Sequence, residues 1–250
     1  MARKKKAAPK IAVYSGTRNL YPDMLPAMKS LIANSGVTDI WLLIEDDEFP
    51  FEKPDFVHCK NVSAQTWFPP NGPNMKSAFT YMAMIRACYA EIFPDCDKVV
   101  QLDVDTVCVD NVDYLWEIEL GDAWLAAARE YLGTYDPFRR GEYYNVGVAV
   151  MNLKKQREDD AQLKLVEMIN SMQLWCVEQD AFNYFCVPGK IVELPTRYNE
   201  CFATGYSEEP AIVHFAGTPD WQGNAKVARR EYVKQYRDMP WDEVLERHHG

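Results

Sequence analysis

The sequence has no apolar run long enough to cross a membrane as a helix, and it is poor in positive charge. A spanning helix needs about 20 predominantly apolar residues, and no stretch of the 250 residues approaches that length. Lys and Arg number 27 against 37 Asp and Glu, so the formal net charge is −10. This balance argues against passive binding to nucleic acid or anionic lipid, because both need a broad basic surface. A diphosphate ligand would therefore need a local cation, from basic side chains or from a metal ion.

Paired cysteines are also absent. The seven cysteines are odd in number, scattered and free of any Cys-x-x-Cys pair. That pattern argues against a zinc site and against a disulfide scaffold. We therefore expect reduced thiols and a cytoplasmic location.

The basic stretch Arg3 to Lys6 at the start of the sequence has no apolar segment behind it, because Pro9 and Lys10 intervene. A signal peptide would need such a segment. We expect residues 1–9 to be a disordered, solvated tail and residues 10–250 to form one domain.

Apolar runs alternate with amphipathic segments along the rest of the chain, which is 48% hydrophobic. The apolar runs predict strands at 10–14, 39–45, 58–62, 98–102, 124–128, 146–153, 191–194 and 211–214. Helical spacing predicts helices at 21–34, 76–93, 159–172, 177–185 and 226–238. Alternation of this kind indicates an α/β fold with a Rossmann-like, mostly parallel central sheet and helices on both faces.

The triplet Asp103-Val104-Asp105 directly follows the predicted strand 98–102. Residues i and i+2 of an extended chain lie on the same side, so both carboxylates can reach one cation. The carboxyl ends of strands are where open α/β sheets bind ligands, and carboxylates suit Mg²⁺ or Mn²⁺. The other interpretation is a solvated strand-to-loop transition. The apolar residues around the triplet favour the metal site, because buried like charges need a compensating cation.

His214 ends the predicted strand 211–214 and is a candidate third ligand. Imidazole is a common metal ligand, although a single His beside a strand is more often a hydrogen-bonded core residue. Both interpretations stay open for this residue on the sequence alone.

Several ordered motifs extend the pattern over most of the chain. They are the segment 94–105, Tyr114-Leu-Trp-Glu117, the segment 120–125, the segment 143–155 around Tyr-Asn-Val-Gly, Glu178-Gln-Asp180, and Val213-His-Phe-Ala-Gly217. With these motifs the chain resembles the retaining glycosyltransferases of family 8, the glycogenin-like group with a GT-A fold. It is also similar to the bacterial galactosyltransferases that build lipooligosaccharide.

The resemblance implies a donor site for UDP-glucose or UDP-galactose. We accordingly expect the domain to consist of a nucleotide-binding half (10–110), a donor-sugar and acceptor half (111–225) and C-terminal helices (226–250). It implies that Asp103, Asp105 and His214 hold Mn²⁺, or Mg²⁺, against the donor diphosphate. The other donor contacts that it implies are Val13, Tyr14, Ser15, Tyr21, Arg86, Val104, Asn145 and Gly217. Glu178, Gln179 and Asp180 match the segment beside the anomeric carbon. We expect Gln179 and Asp180 to stabilise an oxocarbenium-like state in a front-face displacement, in which the leaving diphosphate accepts the acceptor's proton.

Two departures from the family pattern affect the donor site. The turn after the first strand reads Gly16-Thr17-Arg18, where the family commonly has an Asp. The segment after His214 lacks the family's phosphate-facing lysine and has Asp220 nearby instead. Lys226 or Arg230 is the candidate replacement.

The expected activity is metal-dependent transfer of a hexose to a saccharide, glycoconjugate or protein acceptor. The alternatives are a donor hydrolase, a glycogenin-like enzyme that glycosylates its own tyrosines (Tyr131, Tyr135, Tyr143, Tyr144), a nucleic-acid-modifying enzyme, and a non-catalytic sugar-binding protein. The acceptor site is expected in the loops 63–74, 130–142 and 200–209, because such loops vary between relatives. A homodimer through the C-terminal helices (Val233, Tyr236, Trp241, Leu245) is one option; packing of those residues within the chain is the favoured one.

Overall fold

The computed structural model of the chain describes residues 8–77, 79–131, 137–138, 141–216 and 227–249. The strands are β1 Ile11–Ser15, β2 Asp39–Ile44, β3 Val57–Asn61, β4 Lys98–Leu102, β5 Thr106–Cys108, β6 Leu125–Arg129, β7 Tyr144–Asn152, β8 Ile191–Leu194 and β9 Ile212–His214. Seven of them form one sheet in the order β3-β2-β1-β4-β7-β6-β8. Strand β7 is antiparallel to β4 and β6, and the other pairs are parallel. The predicted mixed, mostly parallel sheet is confirmed.

Helices cover both faces of this sheet. They are α1 Tyr21–Ala33, α2 Tyr81–Met84, α3 Tyr89–Ile92, α4 Tyr114–Glu117, α5 Leu153–Glu158, α6 Ala161–Ser171, α7 Glu178–Cys186, α8 Val227–Asp238 and α9 Trp241–His249. Alternate residues of β1 enter opposite layers, because successive side chains of a strand point to opposite faces. Tyr14 belongs to the same buried cluster as Met28 of α1, whereas Val13 belongs to the cluster that contains Tyr89 of α3. Burial on both faces explains why this strand reads as a continuous apolar run.

The predicted long helix at 76–93 is wrong in its start and in its continuity. Thr80 is extended, with φ −71° and ψ 156°, so α2 begins at Tyr81. A tighter 3-10 turn, Ile85–Cys88, then separates α2 from α3. Short 3-10 stretches inside helices often mark functional positions, and this one carries Arg86.

The predicted strand 146–153 and helix 159–172 need a second correction. Strand β7 ends at Asn152, and the additional helix α5 occupies Leu153–Glu158. Asp160 then takes a left-handed conformation with φ 51°, which separates α5 from α6. A non-glycine residue with positive φ is uncommon, although Asp tolerates it better than most.

The predicted strand at 211–214 is outside the central sheet. Strand β9 pairs antiparallel with β5 in a separate two-stranded sheet, and Thr106 lies opposite His214 in the register. Strand β5 was not predicted, because it contains only three residues, Thr106–Cys108, directly after the acidic triplet.

The C-terminal helices pack within the chain, as the favoured interpretation predicted. Val233 and Tyr236 of α8 are buried in the same cluster as α1, and Trp241 and Leu245 of α9 pack against that cluster. The buried Lys29 ammonium of α1 donates to the carbonyl of Met239, at 2.7 Å, after the end of α8.

Candidate active site

Three potential metal ligands meet at the carboxyl end of β4. Asp103 follows the strand directly, and its backbone N–H donates to the carbonyl of Gly147 at 2.7 Å. The chain then turns, because Thr106 Oγ1 donates to the Asp103 carbonyl at 2.7 Å. The backbone N–H of Phe215 donates to the Asp105 carbonyl at 2.9 Å. Pairing of β5 with β9 therefore brings His214 beside both carboxylates.

The cluster has the distances and donor types of a hard-cation site. One ligand atom from each of Asp103, Asp105 and His214 lies within 4.8 Å of the other two. His214 Nε2 lies 3.3 Å from Asp105 Oδ1 and 3.7 Å from Asp103 Oδ2. Two carboxylates and one imidazole fit Mn²⁺ or Mg²⁺ and leave coordination positions for phosphate oxygens. The predicted convergence of the three residues is therefore observed.

The charges of this cluster are strongly perturbed. Burial raises the pKa of Asp103, and the Asp105 charge adds to that effect. Burial acts in the same direction on Asp105, but the neighbouring His214 outweighs it and lowers the pKa of Asp105. Burial opposes protonation of His214, yet the Asp105 carboxylate raises the pKa of the imidazole well above its ordinary value. Positive charge beside the two carboxylates, on the imidazole or on a bound cation, therefore stabilises the cluster.

Gly147 of β7 is needed because the cluster lies against its backbone. An added Cβ would overlap the His214 ring and lie 2.7 Å from Asp103 Oδ2. Contacts below 3.0 Å to such fixed groups require something to move. The sequence motif Tyr-Asn-Val-Gly contains this residue, but nothing in the sequence showed that His214 packs on it.

A chain of amide side chains fixes the orientation of the His214 ring. Asn199 Oδ1 lies 2.8 Å from His214 Nδ1, and Asn199 Nδ2 donates to Asn145 Oδ1 at 2.9 Å. Asn145 Nδ2 donates to Glu130 Oε1 at 3.0 Å, and Asn145 Oδ1 also accepts from the Gly147 backbone at 3.0 Å. Because the Asn199 Oδ1 atom is an acceptor, we assign a proton to His214 Nδ1. The same contact directs Nε2 toward the carboxylates. Asn199 was not predicted, and Glu130 was predicted only as part of a loop.

Arg86 is buried and neutralises protein carboxylates in the site. Its Nη2 atom donates to Asp103 Oδ1 at 2.6 Å, and its Nη1 atom donates to the Val146 carbonyl at 3.0 Å. Its Nε atom lies 3.3 Å from Glu178 Oε1. Arg86 is therefore a buried link between Asp103, at the end of β4, and Glu178 of α7.

Gln179 joins α7 to the same group of side chains. Its Oε1 atom accepts from the Val146 backbone at 3.1 Å, and its Nε2 atom donates to Glu130 Oε1 at 3.3 Å. Burial raises the pKa of the Glu130 carboxyl, against the hydrogen bonds from Asn145 and Gln179. Gln179 thus lies one hydrogen bond from the chain that ends at His214.

Asp180 is nearly inaccessible, and both of its carboxylate oxygens bind groups of the protein. Oδ1 accepts from the Tyr143 hydroxyl at 2.5 Å. Oδ2 accepts from the backbone N–H groups of Trp175 at 2.9 Å and Cys176 at 3.0 Å. This geometry directs the Asp180 carboxylate into the protein, while Gln179 points toward Glu130.

The expected nucleoside contacts lie at the carboxyl ends of β1 and β2. The Val13 and Tyr14 side chains are completely buried, so only their backbone atoms are available to a donor. Ser15 Oγ donates to the Met82 carbonyl at 3.2 Å. The Tyr21 hydroxyl accepts from the Glu45 backbone at 3.0 Å.

Glu45 was not predicted as a site residue, although it ends the predicted strand 39–45. Its Oε2 atom accepts from the Arg18 backbone at 3.0 Å, and its Oε1 atom accepts from the Tyr81 hydroxyl at 3.1 Å. This carboxylate lies beside the turn from which the family's Asp is missing.

The family model for glycosyl transferase family 8 matches residues 48–224, which is more than half of the chain. The chain belongs to glycosyltransferase family 8.

Relatives of this family-8 chain include longer glycosyltransferases of Streptococcus pneumoniae. Glycosyltransferase GlyE is 28% identical over 264 residues, which cover 93% of this chain and 62% of GlyE. Glycosyltransferase GlyA is 24% identical over 273 residues, which cover 100% of this chain and 38% of GlyA. The chain therefore spans less than two thirds of the length of either relative.

Solved structures confirm the predicted GT-A fold for this member of family 8. The crystal structure of GlyE from S. pneumoniae TIGR4 has a TM-score of 0.74 and 21% identity, and the match covers 96% of this chain and 63% of that one. Galactosyltransferase LgtC, crystallised with donor and acceptor sugar analogues, has a TM-score of 0.72 and 21% identity, with 93% and 98% coverage.

Some expected features of this family-8 site fall outside the residues that the structure describes. These are Gly217, Asp220, Lys226 and the Arg230 side chain, so the replacement for the missing lysine stays a prediction. No helix among the described residues is both long and apolar enough to span a membrane.

Proposed function

We propose that this family-8 chain transfers a hexose from UDP-glucose or UDP-galactose to a saccharide or glycoconjugate, with retention and with Mn²⁺ or Mg²⁺ as cofactor. The observation that carries the proposal is the cluster of Asp103, Asp105 and His214. These ligands lie at the point of the sheet where β1 is flanked by β2 on one side and β4 on the other. Such switch points are the usual nucleotide sites of open α/β sheets.

The cluster supports the donor role through charge. A protein with net charge −10 binds a diphosphate only where a cation is supplied locally. A divalent ion at this site would neutralise the diphosphate and act as a Lewis acid on the leaving group. Arg86 holds Asp103 Oδ1 at 2.6 Å, so Asp103 Oδ2 is the oxygen that faces His214. Arg86 in this arrangement positions a ligand, in addition to its expected place near the donor.

The first three residues of α7 have different surroundings, so we propose a different role for each of them. Gln179 is the residue of Glu178-Gln179-Asp180 that we place beside the anomeric carbon, because its amide reaches Glu130 at the edge of the site. Glu178 acts through Arg86, from which it lies 3.3 Å away. Asp180 positions the segment before α7. Asp180→Asn is expected to reduce turnover far more than donor affinity, and equal loss of both would contradict this role.

Self-glycosylation is the second candidate function, and burial weakens it. Tyr143 and Tyr144 are buried, and the Tyr143 hydroxyl donates to Asp180. Tyr131 is 59% exposed, but its hydroxyl donates to Glu193 Oε1 at 2.7 Å. Tyr135 lies outside the described residues. Intact mass after incubation with UDP-glucose measures added hexose directly, and Tyr131→Phe tests the accessible tyrosine.

The test of the main proposal is a UDP-release screen across UDP-sugars, with Mn²⁺, with Mg²⁺ or with EDTA. We expect release from one hexose donor with metal only, stimulated by a saccharide acceptor. Asp105→Ala should abolish transfer, whereas Asp122→Ala, which changes a completely exposed carboxylate, should leave it intact.

Other results of this screen would point to the alternative functions. Release that no acceptor stimulates would indicate a donor hydrolase. Absence of release from any UDP-sugar would indicate a non-catalytic sugar-binding protein. A cytoplasmic location also stays part of the proposal, supported by the seven free cysteines.

A further inference from the structure

The most exposed large apolar side chain of the described residues is Trp175, at 75% exposure. It lies three residues before α7, which carries Glu178 and Gln179. A surface indole on a mobile loop needs no explanation, because single exposed apolar residues are common. The backbone under Trp175, however, is fixed from two sides.

The first fixed point is the Asp180 carboxylate. It accepts hydrogen bonds from the backbone N–H groups of Trp175 and Cys176, at 2.9 and 3.0 Å. The Tyr143 hydroxyl holds the other carboxylate oxygen. A hydrogen bond is electrostatically stronger in a buried environment than in water, and the Asp180 carboxyl group is buried. The orientation of the Trp175 backbone is thereby tied to the first turn of α7.

The second fixed point is the buried side chain of Asn74. Its Nδ2 atom donates to the carbonyls of Ile169 at 2.6 Å and Met172 at 2.8 Å. Its Oδ1 atom accepts from the Leu174 backbone at 2.9 Å. Asn74 therefore joins the predicted acceptor loop 63–74 to the residue directly before Trp175.

The segment also contains a strained backbone position. Val177 has φ 47° and ψ −113°, which is rare for a β-branched residue. Strain of this kind persists only where the surroundings enforce it, and it is concentrated at functional sites. The three observations describe a segment, 172–177, whose backbone is held in one conformation beneath an exposed tryptophan side chain.

The segment that carries Trp175 is connected to the predicted acceptor loops. Gln179, four residues further on, donates to Glu130, and the next residue, Tyr131, donates its backbone N–H to the Ala203 carbonyl at 2.9 Å. The three segments expected to form the acceptor site therefore converge here: Asn74 of the first, Glu130 of the second and Ala203 of the third.

We propose that Trp175 is the platform on which a pyranose ring of the acceptor stacks, and that Asp180 and Asn74 position it. This inference rests on the proposed transferase function. An indole presents a broad apolar face to the C–H groups of a sugar ring, while its edge remains in water. Fixing the platform before the sugar binds lowers the entropic cost of binding. This explains why Asp180 and Asn74 hold the backbone on both sides of Trp175.

Kinetics with saccharide acceptors test the platform. The acceptors are methyl α- and β-glycosides of glucose and galactose, and lactose, with the UDP-sugar that the release screen identifies. Trp175→Ala should raise the KM for the acceptor about tenfold, which corresponds to roughly 1.4 kcal/mol, with the KM for the donor within about twofold. Trp175→Phe should restore most of the affinity. Leu163→Ala, which removes another exposed apolar side chain on α6, should change neither constant.

Fluorine NMR tests binding without turnover. The tryptophans are replaced by 5-fluorotryptophan, and Trp175→Phe assigns the signal of Trp175. With Mg²⁺ and UDP present, lactose or a glycoside should shift that signal more than the others. Asp180→Asn should move the same signal without any saccharide, which a role in chemistry alone would not cause. An unmoved signal across all saccharides, or an unchanged acceptor KM in Trp175→Ala, overturns the proposal.

The outcomes separate this inference from the proposed function. If no UDP-sugar is cleaved but saccharides still shift the Trp175 signal, the transferase proposal fails and the platform stands. If a donor is cleaved and transferred while Trp175→Ala behaves as wild type, only the platform fails. If Trp175→Ala instead alters the sedimentation coefficient through loss of self-association, the indole is a protein contact and the saccharide proposal is wrong.

Discussion

The Oδ1 atom of Asn199 lies 2.8 Å from the Nδ1 atom of His214. Asn199 is completely buried, and its amide is oriented because Nδ2 donates to Asn145. The hydrogen bond holds a proton on Nδ1, so the lone pair of the neutral ring is on Nε2, which faces both aspartates. Partners behind a metal-binding histidine set its tautomer and basicity.

Asn199→Ala should therefore weaken Mn²⁺ binding about 10–100-fold, the usual effect of removing such a partner. Binding is measured by titration followed by electron paramagnetic resonance of free Mn²⁺. The matched control is Asn170→Ala, because Asn170 donates only to the distant Trp67 carbonyl. Equal Mn²⁺ affinity in wild type and Asn199→Ala would show that the ring orientation does not depend on this amide.

Gly147→Ala should disrupt the same site by a steric route. The new methyl group would overlap the His214 ring and lie 2.7 Å from Asp103 Oδ2. Both groups are held by other bonds, so we expect Mn²⁺ binding and UDP release to fall at least about tenfold, as a ligand displacement of about 1 Å does. Gly36→Ala is the control, because its new methyl group would meet ordinary contacts of 3.4 Å and longer. A Gly147→Ala variant with normal Mn²⁺ affinity would contradict the packing.

The parts of the fold that the sequence predicted are those determined by local pattern. The apolar runs of β1, β2 and β4 are buried on both faces, and their composition reflects that burial directly. The predicted helix at 76–93 was wrong, because the amphipathic spacing continues across Thr80, which is extended, and across the 3-10 turn Ile85–Cys88. The loop before this region ends at Asn74. The bonds of Asn74 reach residues 169–174, about one hundred positions along the chain. Local periodicity contains no information on such contacts.

The residues of the candidate site also differ in whether a local sequence pattern could predict them. Asp103 and Asp105 were predictable, because their spacing alone places them together. His214 was predicted as the third ligand because it ends a predicted strand and because the family resemblance implies that role. Asn199, Gly147 and Glu130 were not singled out, because their roles arise from β7 and the loops around it meeting β9 in three dimensions. A buried amide or a glycine has no sequence signature of its own.

Arg86→Leu should destabilise the metal-free protein by about 3–5 kcal/mol, since it leaves buried carboxylates without their cation. Asp103 and Glu178 both lie beside this guanidinium. Added Mn²⁺ should stabilise the variant more than wild type, because the ion compensates Asp103. Urea unfolding with and without Mn²⁺ measures both effects. Arg157→Leu, at a partly exposed arginine of α5, should show neither, and the same Mn²⁺ response in Arg86→Leu and wild type would contradict the coupling.

Glu178 should make stability depend on pH. Burial raises its pKa from the ordinary value of 4.5 to about 7, more than the nearby Arg86 lowers it. Between these values the native protein keeps a proton that the unfolded chain has lost, so stability falls as pH rises from 4.5 to 7 and the loss is complete above 7.

Glu178→Gln removes this titration. Relative to wild type, the variant should gain on the order of 2–3 kcal/mol between pH 5 and pH 8. Urea unfolding of the metal-free proteins at both pH values gives the difference. Glu167→Gln, at an exposed position of α6, should follow wild type, and a gain in Glu178→Gln that is the same at both pH values would show that the carboxyl does not titrate in this window.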